Sequence, residues 1–335
     1  MKPLLHPFLV NDRFGDPALY VRSLFERRSF LFDMGDLGPL SPRRLLGISE
    51  AFVSHTHIDH FIGFDRLLRT LVGRDRTVRL FGPTGFIDRV EHRLASYTWN
   101  LADLFECDLV FEVTEVHAAD AGRRARLRLT HRFVREDEEP IALADGLLHD
   151  EGGFRVRCAI LDHRTPCLGF AVTEERHINV WKNRLEERGL AVGPWLRRLK
   201  QAVRENRPED TPIEVAWRAD DPDRPRTLPL GRLKQEILTL SPGQKIGYVT
   251  DVAGTVENVR RIVDLVRDAD ILFIEAPFAR ADIDLAAARM HLTTEQAGRI
   301  ARLAAARRVE PFHFSPRYAG EEDRLREEVE AAFRG

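Results

Sequence analysis

A chain of 335 residues, 43% hydrophobic and 31% charged, has the profile of a globular protein able to bury a core without disulfide staples. Its formal net charge of −2 excludes a global basic field, so a nucleic-acid partner would have to be held by a local patch. Cys107, Cys158 and Cys167 are odd in number and form no C-x-x-C pair, which argues against a secreted disulfide framework and for a reducing cytoplasm.

In the first stretch, MKPLLHPFLVNDRFGD, His6 and Pro7 break a short apolar run, so no signal peptide is expected. No segment offers about 18 uninterrupted apolar residues, and no transmembrane helix is expected. Strands are predicted at 18–25 and 29–32, punctuated by Gly35, Gly38 and Pro39. Residues 51–53 read as a short buried strand that stops at Ser54. From 59 to 73, Phe61, Ile62, Phe64, Leu67, Leu68 and Leu71 recur at helical spacing. A strand at 78–81, a Gly-Pro-Thr-Gly turn at 82–85 and a helix over 86–95 follow, then strands at 109–113, 126–133 and 154–161. The stretch 135–153 is acidic and reads as an exposed, irregular insertion. The stretch 181–225 holds two charged helices around Gly189 and Gly193-Pro194, then a polar run with four prolines; it reads as a protruding helical arm. Beyond it, buried strands at 245–250, 271–274 and 309–312 alternate with helices at 256–267, 293–306 and 321–333. Strands first, then strand–helix alternation, predict an α/β class, a four-layer αββα sandwich built as a single domain over 1–335.

Chemistry concentrates between the strand at 51–53 and the helix after it. The sequence holds 12 histidines, yet His55, His57 and His60 crowd with Asp59 into six consecutive positions. In an extended segment residues 55 and 57 point the same way, and Asp59 and His60 at the helix entrance can turn toward a second ion. Imidazole nitrogens and carboxylate oxygens suit zinc and similar divalent ions. Flanks as apolar as 51–53 and Phe61-Ile62 do not suit a mobile surface loop. Later in the chain, His163, Asp251 and His313 each follow an apolar strand. Taken singly, they read as buried structural histidines and a turn aspartate.

The pattern H-x-H-x-D-H resembles the signature of the metallo-β-lactamase superfamily. Within it, the resemblance narrows to ribonuclease Z-like proteins. Leu161-Asp162-His163 through Gly169-Phe170 resembles the next ligand histidine, Gly247-Tyr248-Val249-Thr250-Asp251 the strand with the bridging aspartate, and Phe312-His313-Phe314-Ser315-Pro316-Arg317-Tyr318 the last ligand histidine. Phe273-Ile274-Glu275-Ala276-Pro277-Phe278 is similar to the His-Glu-Ala-Thr block of ribonuclease Z. Ala288-Arg289-Met290-His291-Leu292-Thr293-Thr294-Glu295-Gln296-Ala297 is similar to the block holding its non-ligand catalytic histidine. The match runs from about residue 29 to 320.

The resemblance implies two divalent metal ions, taken as zinc: one held by His55, His57 and His163, the other by Asp59, His60 and His313, with Asp251 between them. It implies hydrolysis of a phosphodiester by hydroxide generated at the two ions, with Asp59 also able to take a proton. His291 opens a helix that Thr293 and Thr294 can cap, with Gln296 close to its third position. There it can protonate the leaving 3′ oxygen, with Glu275 holding the imidazole charged. The segment 182–204 carries seven basic and two acidic residues and occupies the place of the family's tRNA-gripping arm. Lys182, Arg184, Arg197, Arg198 and Lys200 are its candidate phosphate contacts, and Trp181 and Trp195 either stack on substrate or anchor the arm to itself. The implied activity is endonucleolytic removal of precursor tRNA 3′ trailers by a cytoplasmic homodimer. A small-molecule metallohydrolase acting on a small phosphodiester, lactone or thioester shares the metal site and differs in the arm. A non-enzymatic RNA- or protein-binding relative would not need the full ligand set.

Overall fold

The computed structural model describes residues 4–23, 28–151, 153–219 and 224–335; the end of the strand expected at 18–25, position 152 and positions 220–223 of the expected arm lie outside them. The chain divides into two compact units. Residues 1–149, 155–173 and 245–335 form one, and 150–154 with 174–244 the other.

The first sheet of the larger unit follows chain order: β1 (Leu5–Leu9), β2 (Leu19–Ser23), β3 (Ser29–Phe32), β4 (Ile48–Phe52), β5 (Arg76–Pro83), β6 (Leu109–Ala118), β7 (Ala121–Arg128) and β8 (Arg135–Ala142). Strands β3 to β6 run parallel. Helices α1 (Pro42–Leu45), α2 (Ile58–Phe61), α3 (Phe64–Leu71) and α4 (Phe86–Ala95) lie in the connections. The helix expected over 59–73 is two helices, because the chain at 34–35 packs against its middle. Gly63 N–H donates to Met34 O at 2.8 Å, and a Cβ on Gly63 would sit 2.1 Å from Gly35 O, so only glycine fits. The acidic stretch expected to be irregular at 135–153 is ordered. β8 pairs antiparallel with β7, and β9 (Leu147–Glu151) joins the second sheet. Acidic residues of β8 face arginines of β7, as in the 2.7 Å Arg123–Glu138 pair, and cross-strand charge pairing lets an acidic segment serve as an edge strand.

Next come β10 (Phe154–Asp162) and β11 (Pro166–Glu174). The smaller unit then contains β12 (Arg176–Val180), α5 (Lys182–Glu187), α6 (Trp195–Arg204), β13 (Pro212–Glu214), β14 (Thr227–Pro229), α7 (Leu230–Ile237) and β15 (Leu238–Pro242). The expected arm at 181–225 is therefore part of a larger body. Antiparallel pairing of β12 with β15 sets its limits. Its core includes Leu185, Trp195, Leu199, Leu230, Leu233 and Ile237, so α7, beyond the expected boundary, is needed to bury the apolar faces of α5 and α6.

The chain returns to the larger unit with β16 (Lys245–Val249), α8 (Val256–Val266), β17 (Ile271–Glu275), α9 (Ile283–Arg289), α10 (Thr294–Leu303), β18 (Val309–Phe312) and α11 (Glu322–Arg334). The second sheet has the order β18-β17-β16-β11-β10-β9, with β16, β17 and β18 parallel. Period-two alternation assigns each strand two apolar faces. Phe32 and Phe52 of the first sheet meet Phe170 of the second, each at 5.7 Å, and Phe32 lies 5.8 Å from Tyr248. On the outer face of the first sheet, Leu31, Ala51 and Val53 share a core with Phe64, Leu67 and Val90 of the helices. On that of the second, Val249, Leu272 and Ile274 share one with Ile262, Ile300 and Leu325. This is the expected αββα layering. Among the described residues no helix is long and apolar enough to cross a membrane.

Candidate metal centre

All seven residues proposed as ligands follow strands of the larger unit. His55 comes shortly after β4, whose Ala51 and Phe52 are fully buried, as is Val53 just beyond it, and is itself 1% exposed. His57 is extended and caps α2, which carries Asp59 and the buried His60. His163 follows β10, Asp251 follows β16, and His313 follows β18.

These side chains converge on Asp251. Its Oδ2 lies 3.5 Å from both His55 Nε2 and His163 Nε2. Its Oδ1 lies 3.4 Å from His60 Nε2 and 2.9 Å from His313 Nδ1. Asp59 Oδ2 lies 3.4 Å from both His60 Nε2 and His313 Nε2. The His57 ring sits 4.3 Å from that of His55 and 5.3 Å from that of His163. Ligand atoms of His55, His57, His163 and Asp251 gather within 4.8 Å of one another, as do those of Asp59, His60 and His313. A third such group joins Asp251, Glu275, His291 and His313.

The donors fit divalent cations. Among the described residues, His55 Nε2, His60 Nε2 and His313 Nδ1 are buried beside Asp251 but lack hydrogen-bond geometry to any partner, and buried nitrogens are costly unless they bind something. Partners on the opposite ring atoms orient two of the imidazoles. His60 Nδ1 faces Asp33 Oδ2 at 2.9 Å, and His163 Nδ1 faces Met290 O at 2.8 Å. Each nitrogen thus donates outward and leaves Nε2 as a free donor of electrons.

Electrostatics point the same way. Burial, reinforced by neighbouring His60, pushes His55 down to about 2, which keeps the imidazole neutral. Burial alone would raise Asp251, but His60 and His313 outweigh it and hold its carboxyl well below the ordinary range. Burial would likewise lower His60, yet Asp251 and Asp33 outweigh it and raise its pKa. Buried carboxylates thus create a negative potential that draws cationic charge into the cluster.

Sequence reasoning missed Asp33. It is fully buried, at the end of β3, with a left-handed φ of 56°. Oδ1 accepts Ser54 N–H at 2.6 Å. Oδ2 accepts Ser54 Oγ–H at 2.8 Å and Tyr248 O–H at 2.8 Å. Ser54 Oγ in turn lies 3.1 Å from His55 Nδ1. Asp33 therefore steadies one histidine of each donor group, His60 directly and His55 through Ser54. The available signal was a carboxylate placed directly after the apolar strand 29–32.

Glu275 and His291 also come together. His291 Nδ1 lies 2.8 Å from Glu275 Oε2, and Glu275 Oε1 accepts Val252 N–H at 3.0 Å and Leu292 N–H at 3.1 Å. The carboxylate ties the loop after Asp251 to the loop carrying His291. Thr293 and Gln296 form the capping box at the start of α10. Burial acts to lower the His291 pKa, but Glu275 reverses the sign and raises it.

The smaller unit presents its basic residues unevenly. Lys182, Arg197 and Arg198 are exposed, and Arg198 pairs with Glu214 at 2.9 Å. Arg184 lies over the Trp181 ring at 5.5 Å. Lys200 is half-buried; burial and Arg204 lower its pKa, against the pull of Glu174. Trp195 is 3% exposed and donates Nε1–H to Ala191 O at 2.8 Å. It anchors the unit and offers no stacking face.

No family model matches the sequence. Ribonuclease Z of Deinococcus radiodurans is 32% identical over 266 residues, which cover 79% of this chain and 75% of that protein. Among solved structures, the metallo-β-lactamase fold protein YhfI of Bacillus subtilis gives a TM-score of 0.56 at 15% identity, covering 100% of this chain and 95% of that one. Human tRNase Z, short form, gives a TM-score of 0.52 at 20% identity, covering 94% and 92%. The two structural likenesses establish the metallo-β-lactamase fold.

Proposed function

The chain belongs to the ribonuclease Z family of metal-dependent hydrolytic endoribonucleases, and on that premise we propose that it removes the 3′ trailer from precursor tRNA by endonucleolytic cleavage at a centre of two zinc ions. The observation that supports two ions is Asp251, whose carboxylate oxygens face different histidine pairs: His55 and His163 on one side, His60 and His313 on the other. His57 completes the first set and Asp59 the second. All-nitrogen and oxygen donors suit zinc. Two such cations supply activation of water for in-line attack and neutralisation of charge on the phosphodiester.

The chain's own residues then have distinct tasks. Asp59, 36% exposed at its side chain, accepts a proton on its carboxylate as well as completing the second set. His291 keeps Nδ1–H on Glu275 and holds a donor proton at Nε2 for the leaving 3′ oxygen. Lys182, Arg184, Arg197 and Arg198 hold tRNA phosphates through the smaller unit. Lys200, half-buried beside Arg204, is the least suited of the five expected contacts. We further infer a cytoplasmic homodimer, which light scattering of the purified protein tests. The activity is tested by incubating metal-loaded protein with precursor tRNA beside bis(p-nitrophenyl) phosphate. Cleavage at the boundary between mature tRNA and trailer supports the proposal. Turnover of the small diester alone would move the reading to a small-molecule metallohydrolase.

A further inference from the structure

We propose that Arg317 is a phosphate clamp at the lip of the metal centre, one that grips an RNA phosphate neighbouring the scissile one and so selects polynucleotides over single diesters. The inference rests on the proposed RNA substrate. Arg317 lies in the turn Pro316–Tyr318, four residues after His313. Its Cζ lies 5.9 Å from the ring centroid of Phe278 and 5.9 Å from that of Tyr318. Both platforms are fastened to the site. Ser315 N–H donates to Pro277 O at 3.1 Å, and Thr294 N–H to Phe278 O at 2.8 Å. The Phe278 ring is 6.0 Å from His291, whose own ring is 5.9 Å from His313. The guanidinium is thus carried on the two segments that supply the candidate general acid and a candidate metal ligand.

Among the described residues no carboxylate pairs with Arg317, although the chain is exposed there. The contrast is Arg324, which also lies over Tyr318, at 5.6 Å, but pairs with Glu321 and Glu328 at 2.7 and 3.1 Å. The nearby Asp282 is engaged by Tyr318 O–H. Aromatic rings restrict a guanidinium, and the Tyr318 hydroxyl takes one of its N–H groups, which leaves others of its five donors for a ligand. That is the arrangement for a bidentate grip on two non-bridging phosphate oxygens. A substrate with one phosphate occupies the metals and cannot reach this clamp as well, whereas an RNA strand can.

The test compares Arg317→Ala and Arg317→Lys with the parent protein, both metal-loaded. The ratio of kcat/KM on precursor tRNA to kcat/KM on bis(p-nitrophenyl) phosphate should fall about tenfold or more for Arg317→Ala, the scale of a charged hydrogen-bonding pair. Arg317→Lys should recover only part, since it keeps the charge without the fork. The salt dependence of log KM for tRNA should lose about one unit of slope. A second reading separates this proposal from that of tRNA processing: inhibition of bis(p-nitrophenyl) phosphate turnover by a short single-stranded RNA. Failure of the parent protein to cut tRNA would sink the tRNA reading, while weaker inhibition of Arg317→Ala by the RNA would still support the clamp. Equal losses on both substrates, or RNA inhibition that is absent or unaltered by the substitution, would overturn it.

Discussion

Replacing Asp33 with asparagine probes the support of the metal centre without replacing a proposed ligand. Asparagine tolerates the left-handed φ of 56° at this position, so backbone strain does not confound the result. Four donors converge on the carboxylate, Ser54 N–H on Oδ1 and Ser54 Oγ–H, Tyr248 O–H and the His60 imidazole on Oδ2. An amide has one acceptor oxygen. If that oxygen takes the crowded Oδ2 position, the amide nitrogen confronts Ser54 N–H, and a buried donor is left orphaned at about 1–3 kcal/mol. The remaining bonds change from charge-assisted to neutral, which roughly halves their strength. Removal of one member of a buried charged network costs about 3–5 kcal/mol as a whole, and that is the expected loss in equilibrium urea unfolding of the chelator-treated protein. Metal affinity should drop as well, because the imidazole of His60 loses the partner that fixes its tautomer; about 10–100-fold is the usual scale. Zinc titration against a chelating dye measures this. Parent-like affinity for both zinc equivalents in a variant that unfolds at parent-like urea would refute the role assigned to Asp33.

Asp251→Ala should lose both metal equivalents by elemental analysis, whereas His291→Ala should keep its metal and lose turnover; metal loss in His291→Ala would instead favour the alternative grouping of His291 with Asp251, Glu275 and His313. Reversing Arg197 and Arg198 to glutamate on α6 should weaken precursor tRNA cleavage by about tenfold or more at low salt. Both lie on the exposed face of α6, so reversal is a cleaner probe than deletion of 182–204, which would remove Leu185, Trp195 and Leu199 from the core; parent-like tRNA cleavage would remove this face from the substrate path. A pH profile tests His291, whose pKa Glu275 raises against the opposing effect of burial. With that sign, the donor proton and the stability of the ion pair are present at low pH and are lost as pH rises through the raised value. Glu275→Gln should therefore move the alkaline limb of kcat to lower pH, and a limb that stays in place belongs to another group.

The layers and the donor cluster were legible because each rests on local pattern. Apolar runs at 51–53, 245–250, 271–274 and 309–312 gave strands whose ends carry chemistry, and the helix at 86–95 matches α4 residue for residue. What escaped was set by contacts distant in sequence. The break at Gly63 depends on Gly35 O, 28 positions away. β8 depends on the arginines of β7 to neutralise an otherwise turn-like acidic run. The smaller unit extends to 244 because β15 must pair with β12. Asp33 stayed hidden for the same reason: its partners, Ser54 after β4, His60 in α2 and Tyr248 in β16, are distant in sequence, and a lone aspartate after a strand looks like a turn residue.

The position of the cluster follows from strand direction. β3 and β4 are parallel in one sheet and β16, β17 and β18 in the other, so Asp33, His55, Asp251, Glu275 and His313 all emerge where strands end. For these side chains to fold back over the sandwich edge, the chain must turn at once. Asp33, Asp251 and His313 do so with φ of 56°, 44° and 60°, and Arg164 and Met290, beside His163 and His291, with 57° and 62°. Each such residue costs on the order of 1 kcal/mol or more unless it is glycine. Glycine would remove the strain and with it the donor atom, so strain and chemistry are inseparable at Asp33, Asp251 and His313. The packed rings of Phe32, Phe52, Phe170 and Tyr248 beneath them supply the rigidity that holds these turns. Donors held in this way lose little freedom when a cation arrives, and affinity rises accordingly. A softened ring layer should therefore weaken metal binding from a distance: Phe52→Leu, which replaces no proposed ligand, should lower zinc affinity along with stability, and unchanged affinity in a destabilised variant would show that the turns hold themselves.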